Sequence, residues 1–132
     1  EDLKRLVYAA FDGLAGQTGE MERSRNRSLI NSIQSIVQQK YMQNITVQSI
    51  AKEVHFSPNY ISSLFRNLTG QKLNDYITNV RIEHASRLLE ETSLRIFEVA
   101  HAVGFENAQY FSTVFKKKMG RHPRSYRNDE AE

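Results

Sequence analysis

The sequence predicts an all-α fold: two helix-turn-helix subdomains joined by a long central helix, plus an N-terminal linker helix. Three observations predict it. One pattern occurs twice, as Thr46, Ile50-Ala51, Val54, Phe56, Tyr60-Ile61, Phe65, Gly70 and again as Arg95, Val99-Ala100, Val103, Phe105, Tyr110-Phe111, Phe115, Gly120. The copies are offset by 49 up to the turn (Ile50 to Val99, Phe56 to Phe105) and by 50 after it (Phe65 to Phe115, Gly70 to Gly120). The second copy therefore carries one extra residue between Phe105 and Tyr110. Finally, only 2 Pro and 6 Gly interrupt 132 residues, and apolar positions recur at i, i+3, i+4 and i+7.

The elements follow in order. Residues 2–15 read as a helix with Leu3, Leu6, Val7, Ala10 and Leu14 on one face, ended by Gly16 to Gly19. Glu20–Arg27 is polar and without periodicity, so residues 1–27 read as a linker from an upstream region. The first subdomain spans 28–72. It opens with a helix from Ser28 to Tyr41 whose stripe is Leu29, Ile33, Ile36 and Val37. Thr46 is an N-cap for a helix with Val47, Ile50, Ala51 and Val54 inward. After the turn His55-Phe56-Ser57, Ser57 caps the next helix and Pro58 occupies its first turn, where a missing N–H costs nothing. Ile61, Leu64, Phe65 and Leu68 form its inner face, and Gly70 stops it.

The connecting helix, 73–91, carries Tyr76, Ile77, Val80, Ala85, Leu88 and Leu89. The second subdomain, 92–128, repeats the first: Ile96, Val99, Ala100 and Val103, a turn at Gly104-Phe105-Glu106, a cap at Asn107, then Phe111, Val114 and Phe115 inward to Gly120. His122-Pro123 leads into a short final turn with Tyr126, and 129–132 is an acidic tail.

Bulk composition narrows the chemistry. With no Cys there are no disulfides, thiolate metal sites or cysteine nucleophiles, which fits a reducing cytosol. The chain begins at Glu1 and reads as a fragment of a longer protein; no apolar run in it approaches the roughly 20 residues that span a bilayer. The net charge is only +3, yet Lys116, Lys117, Lys118, Arg121, Arg124 and Arg127 fall in one stretch without an acid. Such segregation can build a basic face on a nearly neutral domain; the other reading is a solvated helix end, whose Lys and Arg suit the helix dipole. His55, His84, His101 and His122 show neither metal-ligand spacing nor an acid-histidine constellation, and there is no glycine-rich phosphate loop. An enzyme, a metal site and a bound cofactor are therefore not expected, and His84 and His101 read as helix-surface residues.

The repeated unit suits duplex DNA. In a helix-turn-helix the first helix braces the second, whose N-terminal half meets base edges in the major groove. Ala51 and Ala100 are small enough for the helix crossing. Gly104 admits an unusual backbone angle, and His55 holds the matching place in the first copy. The residues of the second helices not used for the core are Asn59, Ser62, Ser63 and Arg66 in one copy, and Asn107, Gln109, Ser112, Thr113 and Lys116 in the other. Asn and Gln can bond adenine bidentately, Arg favours guanine, and Ser and Thr are less selective. A connecting helix of about 25 Å, at 1.5 Å per residue, together with the packing width of the units, suits two half-sites about 34 Å apart.

Arg81-Ile82, Ala85, Leu88-Leu89, Ile96, Val99-Ala100, Val103-Gly104-Phe105, Tyr110-Phe111, Phe115-Lys116, Gly120, Pro123 and Tyr126-Arg127 together resemble the signature of the AraC/XylS family of bacterial transcription regulators. The resemblance covers about residues 28–128. It implies a seven-helix DNA-binding domain that inserts two recognition helices into successive major grooves and controls transcription, usually as an activator. By position it implies base contacts from Asn59, Ser62, Ser63, Ala108, Gln109, Ser112 and Thr113. It implies backbone contacts from Tyr60, Arg66, Tyr110, Lys116, Lys117 and Arg124. His55 departs from the Gly usual in the first turn. The implied partners are double-stranded DNA and RNA polymerase, in the cytoplasm, with any dimerisation through the upstream region. The competing reading is a helical module that docks on RNA polymerase or another regulator.

Overall fold

A computed structural model describes residues 18–131. They form seven helices: α1 (Thr18–Lys40), α2 (Val47–Val54), α3 (Pro58–Thr69), α4 (Leu73–Glu91), α5 (Ile96–Ala102), α6 (Ala108–Met119) and α7 (Pro123–Ala131). The helix expected over 2–15 lies outside the described residues. The chain divides into two compact units, one comprising the described residues up to Gln39 with Ile45–Asn74, the other Lys40–Asn44 with the residues from Asp75 onward. The division falls in the first turn of α4.

The first unit is built on a stripe of α1. Ile30, Ile33 and Val37 are buried, together with Ile50 and Ala51 of α2 and Ile61 and Phe65 of α3. α1 starts well before the expected Ser28, because Glu20–Arg27 is rich in strong helix formers and contains no breaker. Asn26 also continues the buried stripe, one turn ahead of Ile30. Local capping fixes α2. The Thr46 Oγ1 accepts from the Ser49 N–H at 3.0 Å while the Thr46 N–H donates to the Ser49 Oγ at 2.9 Å, a reciprocal capping box. Ser57 caps α3 by accepting from the Tyr60 N–H at 3.1 Å. Leu68, expected inside, is 53% exposed. It shares the face of Ile61, seven residues earlier, but sits in the last turn of α3.

The second unit packs Ile82, Ala85, Leu89, Val99, Ala100, Val103, Phe105, Phe111, Phe115 and Tyr126 into one cluster, with Tyr41 against its edge. Its aromatic rings meet at angles: Phe105–Phe111, Phe111–Phe115 and Phe115–Tyr126 have centroids 5.2, 5.7 and 5.4 Å apart. Such tilted pairs favour ring edges against ring faces. The expected final turn is a helix, α7. Its Tyr126 hydroxyl donates to the Glu90 carboxylate at 2.7 Å.

Two arginines hold the loops of this unit. Arg81, half-buried on α4, donates from Nε to the Tyr41 carbonyl at 2.8 Å and from Nη2 to the Gln43 carbonyl at 2.9 Å. Arg127, on α7, donates to the carbonyls of Leu89, Thr92 and Leu94, closing the connection from α4 to α5. Arg127 is therefore bound into the fold and is not part of a free basic face. His84, expected on a surface, is partly covered. Its ring stacks on Tyr41 at 4.0 Å with the planes 6° apart, and burial holds its imidazole below the ordinary value.

Candidate nucleic-acid interface

Each unit presents the same braced pair, α2 with α3 and α5 with α6. The backbone turn is repeated in detail. The Phe56 N–H donates to the Ala51 carbonyl at 3.1 Å, and the Phe105 N–H to the Ala100 carbonyl at 2.9 Å. Both alanines are buried. His55 has φ 66° and Gly104 has φ 103°, so the positive angle occupies matching places. His55 adopts it as one of the residue types that tolerate this region. Gly104 has a second constraint: a Cβ there would stand 2.6 Å from the Tyr41 carbonyl oxygen and 3.0 Å from the Arg81 Nε.

The one-residue slip is now located. Ser57 follows Phe56 directly and caps α3, whereas Glu106 intervenes before Asn107, which caps α6 by accepting from the Tyr110 N–H at 2.9 Å. Asn107 is thus engaged at the helix end. Beyond the caps, α3 and α6 are both 12 residues long and align without a gap at an offset of 50. Ile61 and Phe65 pair with Phe111 and Phe115, all buried.

The candidate base-contacting residues stand off those cores. Asn59, Ser63, Gln109 and Thr113 are exposed, while Ser62 and Ser112 are half-buried on the same flanks. Asn59 matches Gln109, Ser62 matches Ser112, Ser63 matches Thr113 and Arg66 matches Lys116. Ser62, Ser63 and Arg66 line one open depression together with Lys72, a basic residue that the repeat pattern does not single out. Ala108 is half-buried against the second core and borders a groove with Arg95, Phe97 and Arg124. The Thr113 hydroxyl donates back to the Gln109 carbonyl at 3.2 Å, a bond that contact with a base would have to replace.

Of the candidate backbone contacts, Arg66, Lys116, Lys117 and Arg124 are exposed. The paired tyrosines differ. Tyr110 is 62% exposed. Tyr60 is half-buried, stacks on Phe56 with centroids 5.1 Å apart, and donates its hydroxyl to the Asn26 Oδ1 at 3.3 Å. Burial raises its hydroxyl above the ordinary value; Glu22 adds to the rise and Arg25 opposes it. That partnership spans 34 residues of sequence, so periodicity alone does not reveal it. Among the described residues no group of His, Asp or Glu forms a metal site.

Two helix-turn-helix units in tandem, each with a polar second helix, define a class of domain. The helix-turn-helix domain family matches residues 50–129. The HTH-type transcriptional regulator YijO of Escherichia coli K12 is 38% identical over 104 residues, which cover 79% of this chain and 37% of YijO. The C-terminal domain of AraT, a response regulator of Geobacillus stearothermophilus, is 34% identical with a TM-score of 0.75, covering 76% of this chain and 84% of that one. The DNA-binding domain of AdpA, solved with a target DNA, shares the fold at 24% identity and a TM-score of 0.73 over 76% of this chain and 90% of that one. The chain belongs to the AraC-type helix-turn-helix family of DNA-binding transcription regulators. It spans less than half the length of YijO and of the Streptococcus mutans Msm operon regulatory protein.

Proposed function

We propose that this chain binds duplex DNA sequence-specifically, with α3 and α6 each placed in a major groove. One observation carries the reading. The two second helices bury the same pair of positions, Ile61 and Phe65 in one and Phe111 and Phe115 in the other, and beside it both carry hydrogen-bonding and basic side chains at matching places, Asn59, Ser62, Ser63 and Arg66 with Gln109, Ser112, Thr113 and Lys116. Asn59, Ser62 and Ser63 contact bases in one half-site; Gln109, Ser112 and Thr113, with Ala108 at the edge, contact them in the other. Arg66, Tyr110, Lys116, Lys117 and Arg124 hold the phosphate backbone, whereas the Tyr60 hydroxyl is spent on Asn26 and would reach a phosphate only by giving up that bond. Because the two sets differ, one chain reads two dissimilar half-sites in successive grooves, and the site is asymmetric. In the full-length protein this domain would act in the cytoplasm as a transcription activator. It would contact RNA polymerase, with any dimerisation arising through the region upstream of this chain.

Titration of duplex DNA across a range of salt concentrations tests the proposal. Neutralising about five phosphates gives a log–log slope near −4 to −5. Binding that salt leaves unweakened, or no binding at low salt, contradicts it.

A further inference from the structure

The N-terminal half of α1 lies beside the recognition helix of the first unit. Asn26 is the point of contact, since its Oδ1 accepts the Tyr60 hydroxyl at 3.3 Å, and Tyr60 is in the first turn of α3. Helical register then orients the neighbours. Leu29, one turn after Arg25, lines a groove with Val54 and Phe56, and Phe56 stacks on Tyr60. Arg25 is thus on the flank of α1 that faces the turn and the start of α3. Arg27 is on the opposite flank, about 160° round the helix at 100° per residue. Glu22 is the acid on the Arg25 side, and the charges of both act on the Tyr60 hydroxyl.

We infer that this flank of α1 is part of the DNA interface of the first unit. Arg25 bonds a backbone phosphate beside the N-terminus of α3, and Asn26 holds Tyr60 in place next to it. The inference rests on the DNA-binding reading above and extends it to residues outside the matched span of 50–129. Arg side chains and helix N-termini are among the groups that contact phosphates, and an exposed guanidinium beside the start of α3 can engage phosphate oxygens bidentately. Phosphate contacts of this kind set the register of the helix in the groove and carry no sequence preference of their own.

The test compares Arg25→Ala, Arg25→Gln and Arg27→Ala with the unaltered chain, using one duplex chosen for tight binding to the latter and a salt series for each. Both Arg25 variants are expected to reduce the magnitude of the log–log slope by about 0.9, one phosphate contact. They should leave base preference unchanged, and Arg27→Ala should keep the full slope. Circular dichroism confirms that each variant is folded; the side chain of Arg25 is exposed, and Gln retains helix propensity. If the Arg25 variants keep the full slope, or if Arg27→Ala lowers it equally, the inference is overturned while the DNA-binding reading stands. If the unaltered chain itself shows no salt-dependent binding, it is that reading which fails.

Discussion

Replacing Gly104 by Ala tests how the second turn is held. The residue has φ 103°, and a Cβ there would meet the Tyr41 carbonyl oxygen at 2.6 Å and the Arg81 Nε at 3.0 Å. The positive φ costs a residue with a side chain about 1–2 kcal/mol. The carbonyl must also move, which weakens the 2.8 Å bond from the Arg81 Nε. A hydrogen bond to a charged donor contributes about 1.5–3 kcal/mol. Ala restricts the unfolded chain and returns about 0.4–1 kcal/mol. The net expected loss is about 2–4 kcal/mol. Gly70→Ala is the control: it has φ 80° but open space around the Cβ, so it should lose about 1 kcal/mol or less. Urea unfolding of both variants, read as midpoint shifts at constant slope, measures the difference. If Gly104→Ala costs no more than Gly70→Ala, the close approach of the Tyr41 carbonyl is not a constraint and the reasoning fails.

Four further outcomes are expected. His55→Gly should be neutral or stabilising within about 1 kcal/mol, because it removes the strain of φ 66° at the matching turn; a large fall in melting temperature would show that the imidazole holds the turn. Arg127→Ala should destabilise by about 2–4 kcal/mol, since three loop carbonyls lose a charged donor. Arg127→Lys should fail to restore stability, as an ammonium lacks the planar fork that spans them, and full rescue in thermal unfolding would count against this. His84 is held below its ordinary value of 6.5, so as pH falls through that value the unfolded chain takes up protons more readily and stability declines. His84→Phe keeps the ring stack on Tyr41 and should show a smaller drop in melting temperature between pH 7 and pH 5.5, values that bracket an unperturbed histidine at about 6.5; an equal drop would assign the pH dependence elsewhere. Lys116→Ala should weaken all sequences alike, whereas Gln109→Ala should alter preference at one base pair, and selection profiles that are the same for both variants would refute that division.

The parts of the fold fixed by local chemistry were legible in the residue order. Thr46, Ser57 and Asn107 are N-caps, Gly70 and Gly120 end α3 and α6, and the one-residue slip resolves to Glu106, because each depends on groups within a few positions. The start of α1 was not legible, since a helix without an apolar stripe has no periodic signal; its register is set by Ile30, Ile33 and Val37 further along. Arg127 looked like one charge in a basic run, yet its partners lie 33 to 38 residues away. His84 likewise finds Tyr41 across a distance that only tertiary packing defines. At the interface the division of α3 and α6 into buried and exposed faces follows from register. The tie between Tyr60 and Asn26 does not, and it makes the two tyrosines unlike.

Selection of bound duplexes from a random pool, using this chain alone, tests the central claim most directly. The account predicts enrichment of an asymmetric site with two dissimilar conserved blocks centred about 10–10.5 base pairs apart, the spacing of successive major grooves on one face. Enrichment of no sequence, or of one block that survives substitution of every exposed polar residue on α6, would contradict it.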